Sequence, residues 1–366
     1  MDFSLGEDRQ MLVDSVSRFL SDTLDWKARE AALESDEGFD RDTWNGMVEL
    51  GVLGAWFAED AGGFGGSPFD VGATFGAIGK ALAAGPFLES LMAGRVLEAL
   101  GDHEVLEAIV GGESIVTFAH EPSMDASGSL RPDVEATEAG GEWTLTGNKG
   151  VVGYLGSANK ALVTATKDGA VSAFLVDLSA KGVTRRDYPL IDGGSAGELA
   201  LESAPATLVG EAGQAKDAVD AAIAMGLVAI AWEGVAVMDV LKESTVEYLR
   251  TRKQFGIPIG KFQALQHRMA TAALEVEQAR SSAINAAANF EKDAATRDRF
   301  GSAAKYTIGT AGTLMAEEAI QMHGGIGMTW ELPLSHYAKR MTMIGHQLGD
   351  EDMHLQRFIE LGRKAA

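Results

Sequence analysis

Tyr248-Leu249-Arg250-Thr251-Arg252-Lys253-Gln254-Phe255-Gly256-Ile257-Pro258-Ile259-Gly260-Lys261-Phe262-Gln263 gathers four cations, Arg250, Arg252, Lys253 and Lys261, in a chain whose formal charge is −22. Gly256 and Pro258 stop the helix that leads into this segment, because glycine favours a helix end and proline cannot continue one. Its basic residues are open to two readings: they offset the dipole at a helix C-terminus, or Arg252 grips a phosphate with two parallel bonds. A second segment, Gln321-Met322-His323-Gly324-Gly325-Ile326-Gly327-Met328-Thr329, closes a long helical run with three glycines in four positions. A helix C-cap needs one glycine. The surplus suits a backbone that must come close to a ligand.

Working outward, apolar residues recur at helical spacing from Leu265, Met269 and Ala272 to Val276, and again at Leu12, Val16, Phe19 and Leu20. Between these regions the pattern changes to short β-type runs, among them Trp143-Thr144-Leu145-Thr146, Ala161-Leu162-Val163-Thr164-Ala165 and Ala173-Phe174-Leu175-Val176, divided by Gly, Asp, Asn and Lys. The order predicts an α+β chain with an N-terminal helical domain over residues 1–113, a middle β domain over 114–213, and a C-terminal helical bundle over 214–366. The glycine-rich stretch Gly62-Gly63-Phe64-Gly65-Gly66 reads as an interhelix loop. Residues 221–238 carry one charge, Glu233, and approach the length of a membrane span. Their Ala and Gly content and their polar continuation predict a buried bundle helix, with no membrane span.

With 366 residues, 46% of them hydrophobic and 23% charged, the chain has the composition of a globular protein of about two domains. The acidic balance argues against a nucleic-acid partner held by counterion release. The absence of cysteine removes disulfides, thiolate catalysis and Cys-based metal sites. The opening Met1-Asp2-Phe3-Ser4-Leu5-Gly6-Glu7-Asp8 shows no basic or apolar leader, which predicts a cytoplasmic protein. His103-Glu104 and His120-Glu121 lack a second His at helical spacing, so no metal site is expected. Gly193-Gly194-Ser195-Ala196-Gly197 matches a nucleophile elbow in letters. Glu198-Leu199-Ala200-Leu201-Glu202 then alternates like a strand, which predicts a hairpin turn instead. No glycine-rich phosphate loop opens a helix after a strand.

The two segments together resemble the acyl-CoA dehydrogenase family, whose C-terminal domain carries R-x-x-F-G-x-x-I-x-x-F-Q followed by Q-x-H-G-G-x-G. The helical, β, helical order, the Gly62–Gly66 stretch and Trp143-x-Leu145-x-Gly147-x-Lys149 extend the resemblance over the whole chain. It implies a β-barrel-like middle domain, a C-terminal four-helix bundle and FAD at a subunit interface. It further implies that Arg252, Phe255, Gln263, Gln321, Gly324 and Gly325 bind the nucleotide half of FAD. The reaction it implies removes the α-proton of an acyl-CoA thioester with a Glu carboxylate while a hydride leaves the β-carbon for the flavin, with electron transfer flavoprotein as acceptor.

The chain departs from the family where the reaction occurs. The two places for the base fall on Gly226 and on Leu348, within His346-Gln347-Leu348-Gly349-Asp350-Glu351-Asp352. Remaining carboxylate candidates are Glu351, Asp350 and Glu233. The family's flavin loop after Glu-Pro is replaced by Glu121-Pro122-Ser123-Met124-Asp125-Ala126-Ser127. Its W-I-T/S segment beside the flavin ring is replaced by Val152-Gly153-Tyr154-Leu155-Gly156-Ser157. This pattern resembles one partner of heteromeric bacterial acyl-CoA dehydrogenases, including those of steroid side-chain breakdown. The expectation is a base-lacking subunit of an α2β2 enzyme, whose partner subunit supplies Glu. The alternatives are a self-sufficient homotetramer with a relocated base, or a flavin-free acyl-CoA-binding scaffold.

Overall fold

The computed structural model describes residues 6–35, 37–124, 127, 129–131 and 133–364. Met1 to Leu5 of the opening segment, and Asp125 and Ala126 of the replaced flavin loop, lie outside the described residues. Six helices come first: α1 (Glu7–Thr23), α2 (Trp26–Leu33), α3 (Arg41–Glu49), α4 (Pro68–Ala81), α5 (Phe87–Leu100) and α6 (His103–Val110). Aspartates start three of them: Asp25, Asp40 and Asp102 accept from the backbone N–H of Ala28, Thr43 and Val105, satisfying donors that a helix end leaves open.

Seven strands follow, β1 (Val116–Ala119), β2 (Glu135–Ala139), β3 (Glu142–Gly153), β4 (Lys160–Lys167), β5 (Ala170–Asp177), β6 (Val183–Pro189) and β7 (Ser195–Val209). The pairing runs β4-β2-β3-β7-β5 and returns from β5 to β4, so five strands close a ring, with β1 added to β4 and β6 to β7. Closure removes the free edges of those five strands. The Gly193-Gly194 pair makes the β6–β7 turn, with Leu190 N–H donating to the Gly194 carbonyl at 2.8 Å and Ser195 paired with Pro189.

The C-terminal helices are α7 (Lys216–Thr251), α8 (Gln263–Asn289), α9 (Ala294–His323), α10 (Leu334–His346) and α11 (Glu351–Lys364). By length and composition α7 could cross a membrane, but 78% of its most apolar window is buried inside the protein. It is a core helix.

The chain divides into two compact units that cut across sequence order, one of residues 1–22, 68–83 and 224–366, the other of 23–67 and 84–223. The segments 1–113, 114–213 and 214–366 therefore do not correspond one to one with the compact units, because the N-terminal helices are shared between both. In the second unit Trp44 stacks on Phe87 at 5.4 Å and Trp56 meets the same ring edge-on. The Gly62–Gly66 stretch lies backbone to backbone on residues 55–58, with Gly63, Gly65 and Gly66 N–H donating to the carbonyls of Ala58, Phe57 and Ala55.

In the first unit, α4 presents Gly72 and Gly79, seven residues apart and on one face, to α7. A Cβ at Gly72 would come within 2.6 Å of the Trp232 ring, and one at Gly79 within 2.7 Å of the Glu233 carbonyl. Replacing Gly72 by Leu is expected to cost about 1–3 kcal/mol by overpacking. Gly76→Ala, into open space on the same helix, should gain about 0.5–1 kcal/mol; urea unfolding of the two variants checks the contrast.

Candidate functional site

The basic segment forms a hairpin at the end of α7. Two short strands, β8 (Lys253–Gln254) and β9 (Ile257–Pro258), pair across Phe255 and Gly256, whose φ values are +54° and +81°. A two-residue turn with both residues left-handed matches the twist of its strands. It explains the glycine and leaves Phe255 in a conformation that a bulky side chain rarely adopts. Phe255 is 91% exposed, touching Phe262 edge-on at 6.2 Å. Gly260 lets the backbone pass Leu249, where a Cβ would come within 2.8 Å of the Leu249 carbonyl.

The glycine cluster lies at the same end of this unit. Tyr248 stacks on His323 at 4.3 Å, joining the end of α7 to the end of α9. Arg268 donates to both Glu318 oxygens at 2.6 and 2.9 Å, placing the start of α8 beside the last turns of α9. The three glycines have different causes. Gly324 takes φ +67° to end α9, and Gly327 passes the Ile320 carbonyl, to which a Cβ would lie at 2.8 Å. Gly325 has a negative φ and open space around its missing Cβ, so the chain's own packing does not account for it.

Arg252, Phe255, Gln263, Gln321, Gly324 and Gly325 are thus gathered at one end of the unit, and all six are exposed. The donor set fits the nucleotide half of FAD: a guanidinium for the pyrophosphate, two amides that both donate and accept, and glycine backbone open to close approach. A groove of about 290 Å³ runs between α7 and α8, lined by apolar Val246, Met269 and Ala273 and by charges of both signs, Lys242, Arg250, Glu243 and Glu247.

The three candidate bases are held differently. Glu233 accepts from Arg340 Nε and Nη2 at 2.6 and 2.8 Å, and the two side chains are 6% and 18% exposed. Both carboxylate oxygens face a guanidinium, an arrangement for an ion pair rather than for taking a proton from carbon. Asp350 is exposed and caps α11, accepting from Met353 N–H at 2.9 Å. Glu351 lies on α9 at Gly309, where a Cβ would come within 2.7 Å of its Cγ. Gly226 is buried within α7. Among the described residues no group of three or more His, Asp or Glu is arranged to hold a metal ion.

Arg340 and Lys305 carry no motif that singles them out in the sequence. Lys305 is fully buried and donates from Nζ to the Gly345 and Gly349 carbonyls at 2.6 Å each, fastening the turn between α10 and α11. In the same turn, buried His354 donates from Nε2 to the Leu348 carbonyl at 2.8 Å. The available signal is a lone lysine among small and apolar residues on α9; nothing local links residue 340 to residue 233.

The model of the acyl-CoA dehydrogenase C-terminal domain matches residues 216–360, and that of the N-terminal domain matches residues 6–111. The chain belongs to the acyl-CoA dehydrogenase family and is an oxidoreductase acting on acyl-CoA, with FAD as its cofactor. Acyl-CoA dehydrogenase FadE27 of Mycobacterium tuberculosis is 28% identical over 381 residues, covering 100% of this chain and 99% of that protein. In the ChsE4-ChsE5 complex from Mycobacterium tuberculosis, one chain superposes with a TM-score of 0.90 at 28% identity, over 100% of this chain and 99% of that one. A chain of a variant of the Tcur3481-Tcur3483 steroid acyl-CoA dehydrogenase gives 0.89 at 26% identity over 99% of each.

Arg340→Met would leave Glu233 buried without its cation and should cost about 3–5 kcal/mol. The double replacement Glu233→Leu with Arg340→Met should cost less than Arg340→Met alone, as urea titrations will read. Burial pushes the Lys305 ammonium down from 10.5 to about 8, against the opposing pull of Glu351 and Asp350. Between pH 8 and 10.5 the unfolded chain binds the additional proton, so this group makes stability rise with pH through that window. The rise should be smaller in Lys305→Met, measured as the difference between the two unfolding curves across pH.

Proposed function

We propose that this chain is the base-lacking subunit of an α2β2 acyl-CoA dehydrogenase. It contributes the nucleotide side of an FAD site, and an acyl-CoA dehydrogenase-like partner subunit contributes the catalytic Glu and the pocket for the reactive ring. The observation that carries this reading is the contrast between two sets of residues in the first unit. The six nucleotide-side residues stand exposed with Phe255 91% accessible, whereas each candidate base is an ion pair, a helix cap or packed on a neighbouring helix. A phenylalanine exposed to that degree at a strained φ fits a face that another chain covers.

When bound, FAD supplies the acceptor for hydride from the β-carbon of the thioester. Arg252 neutralises pyrophosphate charge, Gln263 and Gln321 fix the nucleotide through their amides, and Gly325 leaves room for its approach. This reading assigns a steroid-type acyl group, supported by the likeness to the Tcur3481-Tcur3483 steroid acyl-CoA dehydrogenase, and a second subunit, supported by the likeness to a chain of the ChsE4-ChsE5 complex. Electron transfer flavoprotein is the acceptor this reading assigns.

The test counts flavin by visible absorption in the chain purified alone and after co-expression with its partner subunit. The expected result is little or no flavin alone and one flavin per two chains in the complex, with Arg252→Ala lowering that occupancy at least tenfold at limiting FAD. One flavin per chain and full turnover in the isolated protein would overturn the reading.

A further inference from the structure

The segment after β3 is turned into its own unit. Gly153 ends β3, and a Cβ there would overlap the carboxylate of Glu89. Glu89 is 8% exposed in the first turn of α5, where the positive end of a helix dipole favours a negative charge. Thr117 Oγ1 donates to the Gly153 carbonyl at 2.6 Å. Tyr154, at φ +48°, donates its backbone N–H to the Ser195 carbonyl, and its hydroxyl accepts from Gly85 N–H at 2.9 Å. Its ring meets Phe39 edge-on at 5.9 Å. Leu155 is fully buried, and Val151, at φ +49°, is left 60% exposed.

The Tyr154 ring, hydroxyl and backbone N–H and the Gly153 carbonyl therefore all have internal contacts, and the most exposed side chain of residues 151–155 is a valine. The missing side chain at residue 153 has a physical cause, since Glu89 fills the space it would take. Resting on the half-site reading, we propose that Glu89, Tyr154 and Thr117 lock Gly153 and Tyr154 onto their own unit. The side chain and hydroxyl of Tyr154 are thereby turned away from the reactive ring of FAD, and the lock biases the seating of the ring toward the other subunit. Glu89 and Tyr154 are positioning residues.

The lock makes a reciprocal prediction in the flavin-loaded complex. Gly153→Ala should lower the melting temperature by a few degrees and speed amide exchange across residues 151–157, and adding Glu89→Ala should restore most of both. Tyr154→Phe should speed exchange of the Gly85 amide while leaving the flavin absorption maxima and reduction potential at wild-type values. A shift of the maxima or of the potential in Tyr154→Phe, or failure of Glu89→Ala to rescue Gly153→Ala, overturns the proposal. The underlying reading fails separately, through a full complement of flavin in the wild-type chain alone. Amide exchange in Gly153→Ala and in its double variant with Glu89→Ala would then still read the packing of the lock, rescue upholding it and no rescue overturning it.

Discussion

Glu233 and Arg340 form the contact on which the arrangement of the first unit turns. A carboxylate in the middle of a long apolar helix is costly to bury, and here it is tolerated because α10 brings a guanidinium to it with both bonds at good length. The same stretch of α7 needs the close approach of α4, which Gly72 and Gly79 permit by having no side chains. Three helices thereby meet around one ion pair. An ion pair of this kind is weak evidence of net stability, since an apolar replacement of both partners can be as good. Its consequence is geometric: it fixes α10 against α7 at one point, beside the close approach of α4, while Tyr248 on His323 joins the end of α7 to the end of α9.

At that end the chemistry is of the opposite kind. The hairpin at Phe255 and Gly256, the stack of Tyr248 on His323 and the pair Arg268–Glu318 build a rigid base, and above it stand a guanidinium, two amides and open glycine backbone. Supported backbone beneath and exposed donors above suit the cofactor site proposed for this end, because preorganised donors lose less freedom when a ligand arrives. The turn between α10 and α11, where the family resemblance looks for a base, is closed instead by Lys305 and His354, which occupy three backbone carbonyls.

Much of the fold was legible in the sequence because it follows from periodicity. Residues 143–146, 161–165 and 173–176 fall inside β3, β4 and β5, and residues 221–238 lie inside the buried helix α7. The boundaries of the compact units were not legible. Which helices of the N-terminal region pack with the bundle depends on contacts such as Gly72 with Trp232, which lie far apart along the chain. The glycine cluster shows the same division: three glycines were evident as a surplus, but only the folded chain separates Gly324, required by its φ, and Gly327, required by the Ile320 carbonyl, from Gly325, which neither explains.

The sequence by itself determined the helical, β, helical order, the family, and the segments from which a nucleotide site can be drawn, since hydrophobic spacing and short motifs are local properties of a chain. The tertiary structure decided what each remaining carboxylate does. Glu233 read alone is a lone charge in an apolar helix, open to catalysis or pairing, and its role is set by Arg340 more than a hundred positions away. Glu89 has no distinguishing context in the sequence, and its place is fixed only where β3 ends upon it. A buried charge takes its function from the groups that surround it in space, and those are assembled only when the chain has folded.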